Sequence, residues 1–107
     1  MHMLNIPAWL YIWISQALVG EIYPEVRAIV VKFGNDNKLL LRCYFDREPT
    51  EDDFENFDSV LSEVYAQTSS DAEISDLQCE TVYSEAPFKD LDFLDGCVYA
   101  RREWVDY

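Results

Sequence analysis

One histidine, His2 near the N-terminus, three glycines and three cysteines are all that the chain offers to the common catalytic and metal-binding arrangements. Gly20, Gly34 and Gly96 lie too far apart for a glycine-rich phosphate loop, and there is no G-x-S-x-G elbow. No histidine is placed to activate Cys43, Cys79 or Cys97 as a nucleophile. The cysteines have no C-x-x-C spacing, which argues against zinc. Each sits in an apolar, strand-like run, the pattern of a reduced core residue in a cytosolic protein. The sequence therefore assigns no catalytic residue, no cofactor and no metal ligand.

Basic residues are also scarce. Eight Lys and Arg face 21 Asp and Glu, for a formal charge of −13. None of the eight precedes Arg27, so the early apolar run IPAWLYIWI lacks the charged region of a signal peptide. It is also shorter than the roughly 20 apolar residues that span a bilayer. The charge is unevenly placed. Between Asp46 and Asp95 sixteen acids meet only Arg47 and Lys89, a net −14, whereas the remainder carries five acids and six bases. A surface with that field repels nucleic acid and anionic membranes and attracts basic proteins. Acidity that serves only solubility is the simpler alternative.

What the chain does have is apolar and aromatic residues. They make up 50% and 15% of it, too many for a disordered acidic tail, and 107 residues suffice for one domain, 1–107, with its own core. The spacing predicts a first helix over about Ile6 to Glu21, with Asn5 as N-cap, Pro7 in the first turn, and Gly20 and Pro24 at the exit. Its core stripe is Ile6, Leu10, Ile14, Ala17 and Leu18. Trp9, Ile12, Trp13 and Val19 then lie on other faces, so either both sides of this helix are covered or part of it is a contact patch. Val26 to Phe33 and Lys38 to Phe45 are β-branched and aromatic runs around the turn GNDN, the pattern of a hairpin.

A second helix is predicted after Pro49, with Thr50 as N-cap and Asp53 completing an acidic capping box. Phe54, Phe57, Val60, Leu61 and Val64 form its apolar face, and Glu51, Asp52, Glu55, Ser59, Ser62 and Glu63 face solvent. Leu77 to Tyr83 and Gly96 to Arg102 read as two further strands joined by the acidic loop SEAPFKDLDFLD. The expected fold is α+β, a two-layer sandwich in the order α-β-β-α-β-β, with an antiparallel sheet and the helices on one face.

The acids themselves do not read as chemistry. FDREPTEDDFENFD has neither the ligand spacing nor the glycine of an EF-hand loop. Exposed helical carboxylates stay ionised and lack the raised pKa that acid–base work requires. First-turn acids also favour the positive end of the helix dipole.

The segments RAIVVKF, LLLRCYFDREPTEDDFENFDSVLSEVYA and GCVYARRE, in this order, resemble a family of small acidic bacterial proteins. Its members show a hairpin ending in R-x-Y-F-D, an acidic helix opened by proline and threonine or serine, and a close near G-W-V-Y-x-R-x-E. Here Cys97 stands at the position of the tryptophan. The resemblance spans Arg27 to Glu103 and is to immunity proteins of polymorphic toxin and contact-dependent growth inhibition systems. It implies a non-enzymatic cytoplasmic protein that binds the C-terminal domain of a cognate toxin, often a nuclease and therefore basic. Asp52, Glu55 and Glu63 on the second helix and Asp90, Asp92 and Asp95 in the loop are the expected contact residues, with Trp9 and Trp13 as candidate aromatic anchors. The alternative is a non-catalytic homodimer that pairs through Trp9 and Trp13. No nucleic-acid or membrane partner is expected.

Overall fold

The computed structural model describes residues 5–69 and 73–103. Seven elements follow one another: α1 (Ala8–Ala17), β1 (Val26–Phe33), β2 (Lys38–Phe45), α2 (Glu51–Ala66), β3 (Asp76–Tyr83), a 3-10 turn (Phe88–Asp90) and β4 (Gly96–Ala100). The α+β order agrees with the sequence reading. The sheet does not. Its strand order is β3-β2-β1-β4, and although β1 pairs antiparallel with both β2 and β4, β2 and β3 run parallel.

The expected antiparallel sheet fails because of what lies between β2 and β3. A helix of 16 residues, at about 1.5 Å per residue, carries the chain back along almost the full length of an eight-residue strand. The chain therefore re-enters the sheet at the end where β2 began, which makes β2-α2-β3 a parallel crossover unit. Parallel crossovers share one hand, so the return path from β3 across β2 and β1 to β4 belongs on the opposite face of the sheet. The residues 84–95 take that path.

Both sheet faces are consequently covered. On the helix side, Leu10, Ile14 and Leu18 of α1 and its exit pack with Phe57, Val60, Leu61 and Val64 of α2 over Ile29, Val31, Leu39, Leu41, Cys43 and Phe45. On the other side, Leu91 buries Ala28, Val30 and Tyr44, helped by Phe88 and Phe93, whose rings lie 5.2 Å apart. This explains why VRAIVVKF shows no polar alternation: its first six residues are all buried. A register shift between Val26 and Ala28 lets Val26 join the helix-side core with Ile29 and Val31.

Two helix boundaries and one core residue differ from expectation. α1 begins after Pro7, which has extended backbone (φ −60°, ψ 146°) and provides no side-chain cap. A residue that precedes proline avoids helical dihedrals, so Ile6 stays outside, and the Asn5 N–H donates to the Asp95 carbonyl instead of capping. At the other end the chain leaves the helix through a turn in which Gly20 takes φ 79°. In α2 the capping box forms as expected: Thr50 Oγ1 accepts from the Asp53 N–H, and Asp53 Oδ2 accepts from the Thr50 N–H. Phe54, expected in the core, is 41% exposed, and Asp53 occupies the inward position four residues before Phe57. The inward stripe is thus 53, 57, 60, 61, 64, and its first place is polar because Asp53 has partners waiting there.

Candidate protein-docking surface

Helix α2 contains no basic residue, and Glu51, Asp52, Glu55, Asp58 and Glu63 are all exposed on it. None of the five forms an ion pair with a described residue. The arginines are engaged elsewhere: Arg27 with Glu103, Arg42 with Glu80, Arg47 with Asp53, and Arg101 with Asp46 and Glu103. The negative field of the α2 surface is therefore not cancelled by neighbouring cations.

Along the seam between the helices, Asn56 Nδ2 donates to the Glu21 carbonyl at 3.4 Å, and a shallow cleft there is lined by Gly20, Glu21, Tyr23 and Asp52. At the other end of the seam Glu63 and Gln67 line a second cleft with Trp13 and Gln16. The structure thus brings Asp52, Glu63 and Trp13 onto one helical layer, with Glu55 on its outer face. Trp9 and Trp13 are half-buried and pack against the core; their ring centroids are 4.9 Å apart, and Trp9 meets Phe33 edge-on at 5.9 Å. The more exposed apolar residues near them are Tyr11 and Ile12, on a helix with no charged residue, and Val19 in its exit turn, at 78% exposure.

The loop acids lie on the other side of the sheet and are not brought together with those of α2. Asp90 and Asp92 are exposed, whereas Asp95 is half-buried and bonded within the fold. Its Oδ2 accepts from the Phe33 N–H at 2.8 Å, and its own N–H donates to the Val31 carbonyl at 2.9 Å. Asp92 has local partners too: Oδ1 accepts from the Leu94 N–H, and its carbonyl accepts from the Tyr44 hydroxyl. These contacts seat the loop on the sheet.

Sequence reasoning missed two buried polar networks. Asp53 receives Arg47 through two nitrogens, at 2.6 and 3.2 Å, as well as the Tyr23 hydroxyl. The Arg47 hydrogen bonds hold the Asp53 carboxyl well below the usual carboxylate range, against the opposing effect of burial, while burial and the Asp53 charge push the Tyr23 phenol upward. In the second network Arg27 donates from Nε and Nη2 to the two Glu103 oxygens, both at 2.8 Å, and from Nη1 to the Ser84 carbonyl. Arg101 extends it to Asp46 at 2.7 Å and to the Pro24 carbonyl at 2.8 Å. The strings R-x-Y-F-D and R-x-E carried the signal. Arg42, Phe45 and Asp46 of the first, and Arg101 and Glu103 of the second, are ion-pair or core residues that tie the strands and the chain segments around them together.

The cysteines are free, Cys43 buried and Cys79 and Cys97 half-buried. Desolvation holds the Cys43 thiol well above its ordinary range and pushes Cys79 up to about 12, so both are protonated and unreactive at neutral pH. Cys97, in the place of a tryptophan, packs against the loop-side core and donates its Sγ–H to the Tyr99 carbonyl. Among the described residues no group of three His, Cys, Asp or Glu could hold a metal ion, and no helix is long and apolar enough to cross a membrane.

Ion pairs closed within the fold, inert thiols and an uncompensated acidic helix layer define a small α+β protein built to bind another protein. The family model of the MafI2 immunity proteins matches residues 7–103, ending on the Glu103 that Arg27 holds, and the chain belongs to that family. It is a non-catalytic immunity protein, whose class acts by neutralising a cognate toxin. No curated protein matches the sequence.

Proposed function

We propose that this immunity protein neutralises a basic toxin domain, a nuclease, in the cytoplasm by docking it on the α2 layer. The observation that carries the reading is the row of five exposed, unpaired acids on a helix without a base. A nuclease domain must be basic to hold phosphates, so the α2 field attracts the surface that nucleic acid would occupy. Attraction of this kind raises association rates to about 10⁸–10⁹ M⁻¹s⁻¹, which suits an inhibitor that has to act before damage accumulates. Asp52, Glu55 and Glu63 are the proposed charged contacts, with Trp9 and Trp13 at the neighbouring margin. The loop acids Asp90, Asp92 and Asp95 act from the opposite face, through the long-range field rather than in the same contact.

The test is stopped-flow association with the purified cognate toxin domain. Raising salt from 0.1 to 1 M shortens the Debye length from about 10 to about 3 Å and should slow association at least tenfold. Glu55→Lys with Glu63→Lys should slow it at low salt while leaving the unfolding midpoint nearly unchanged, since both residues are exposed and lie beyond the first turn of α2. An association rate indifferent to both changes would refute steering by α2.

One observation favours a second reading, a homodimer: α1 is free of charge, and it and its exit turn expose Tyr11, Ile12 and Val19, so two copies could meet there without bringing their acids together. Sedimentation velocity over a hundredfold range of concentration decides it.

A further inference from the structure

The two edges of the sheet are finished differently. β4 has five residues, and its pairing with β1 is interrupted by a register shift between Ile29 and Val30. β3 has eight, all in unbroken register with β2 from Lys38↔Asp76 to Phe45↔Tyr83. Its sequence, DLQCETVY, contains no proline and no lysine, two devices with which proteins blunt an edge, and its register shows no bulge, a third. No residue of β3 is buried, in contrast to the neighbouring β2. Among the described residues no further strand pairs with it. Alternate residues of β3 therefore point their N–H and C=O groups away from β2 into solvent, a template with which another extended chain can pair.

The surroundings of this edge favour one kind of occupant. Besides the three on α1 and its exit, the exposed large apolar side chains are Phe54, Tyr65 and Tyr83. Tyr83 ends β3. Phe54 and Tyr65 are eleven residues apart on α2, on one ridge with Asp58, and Asp58 faces β3 closely enough that its charge acts on Cys79. The edge thus has an aromatic shelf on the helix side and carries Asp58, Asp76 and Glu85 as exposed acids; Arg42 is already paired to Glu80, and Lys38 stands opposite Asp76. Two copies joined along β3 would bring two sets of Asp58, Asp76, Glu80 and Glu85 to one seam, and the repulsion between them disfavours self-pairing.

Building on the toxin-binding reading above, we propose that the outer edge of β3 takes up an extended, lysine- or arginine-bearing segment of the cognate toxin as a fifth strand of the sheet. Backbone hydrogen bonds would hold the segment, its apolar side chains would rest on Phe54, Tyr65 and Tyr83, and its basic ones would meet Asp58, Asp76 and Glu85. The acidic α2 layer would then steer the toxin to a site whose register the β3 edge sets.

Hydrogen–deuterium exchange on the full chain, alone and mixed with the purified cognate toxin domain, tests this. The expected result is at least tenfold slower exchange of outward-facing amides between 76 and 83 in the complex. Asp58→Lys with Gln78→Lys, at two exposed positions beside the edge, should weaken the complex at least tenfold without shifting the unfolding midpoint. A complex that forms with β3 exchange unchanged overturns the edge proposal and leaves toxin binding standing. No complex at all overturns both. Protection of β3 that grows with the concentration of the free protein overturns it in favour of self-pairing.

Discussion

Glu103→Ala tests whether the string that closes the matched region is there for the fold. In the native protein the Arg27 and Glu103 side chains are 7% and 9% exposed, joined by two 2.8 Å hydrogen bonds. Removing the carboxylate leaves the buried guanidinium with only the Ser84 carbonyl, and Arg101, which shares Glu103, adds a like charge nearby. An uncompensated buried charge costs about 3–5 kcal/mol. The lower end applies here, because the Arg27 guanidinium keeps one acceptor, the Ser84 carbonyl, after the carboxylate is removed. A loss of about 3 kcal/mol is a large part of the roughly 5–15 kcal/mol that holds a domain of this size together. At about 4–8 °C per kcal/mol it lowers the melting temperature by about 12–24 °C. Urea unfolding followed by circular dichroism measures it, with an unchanged denaturant slope showing that the two-state comparison is sound. Arg27→Met combined with Glu103→Leu should cost less than Glu103→Ala alone, since apolar groups replace the pair without stranding a charge. The reasoning fails if Glu103→Ala stays within about 0.5 kcal/mol of the parent, or if the double variant loses as much as the two single ones added together.

Two further outcomes follow from the α2 geometry and the buried networks. Phe57, fully buried with ring contacts to Tyr23 and Phe45, should cost about 3–5 kcal/mol on change to Ala, whereas the exposed Phe54 should cost less than about 1 kcal/mol; equal losses in urea unfolding would contradict the inward stripe. Asp53 and Glu103 have folded pKa values depressed below their ordinary 3.8 and 4.5, so their stabilisation is complete above those values and is lost as pH falls below about 4. At the alkaline end Tyr23 and Cys79 are raised above 10.0 and 9.0, so their contribution is present below pH 9 and declines as pH rises beyond it. Melting temperatures measured from pH 2.5 to 11 should show both limbs, and a flat profile between pH 4.5 and 2.5 would rule out the carboxylate networks as stabilising.

Much of the local structure is legible in the sequence because it depends on near neighbours. GNDN between two β-branched runs specifies the hairpin, and Pro49, Thr50 and Asp53 specify the start of α2 to the residue. The absence of base in α2 and the crowding of acids between Asp46 and Asp95 likewise define an acidic helix before any coordinate is known. Phe54 and Asp53 mark where this stops. Both fit an apolar-face spacing within a residue, and only the arrival of Arg47 and Tyr23 from other segments decides that the aspartate turns inward and the phenylalanine outward.

The same division holds for the whole chain. Composition and pattern determine the elements, their order, the acidic helix and the poverty of catalytic groups, because these are set by dihedral preference, periodicity and charge along the sequence. The pairing of β2 with β3, the placing of the loop acids on the face away from α2, the closure of Arg27 on Glu103 76 residues away and the open edge of β3 are decided in three dimensions. The physical reason is that each depends on which path a crossover takes and which polar group it brings to a buried partner. Those choices are made by packing two faces of one sheet at once, and no short stretch of sequence contains both sides of the contact.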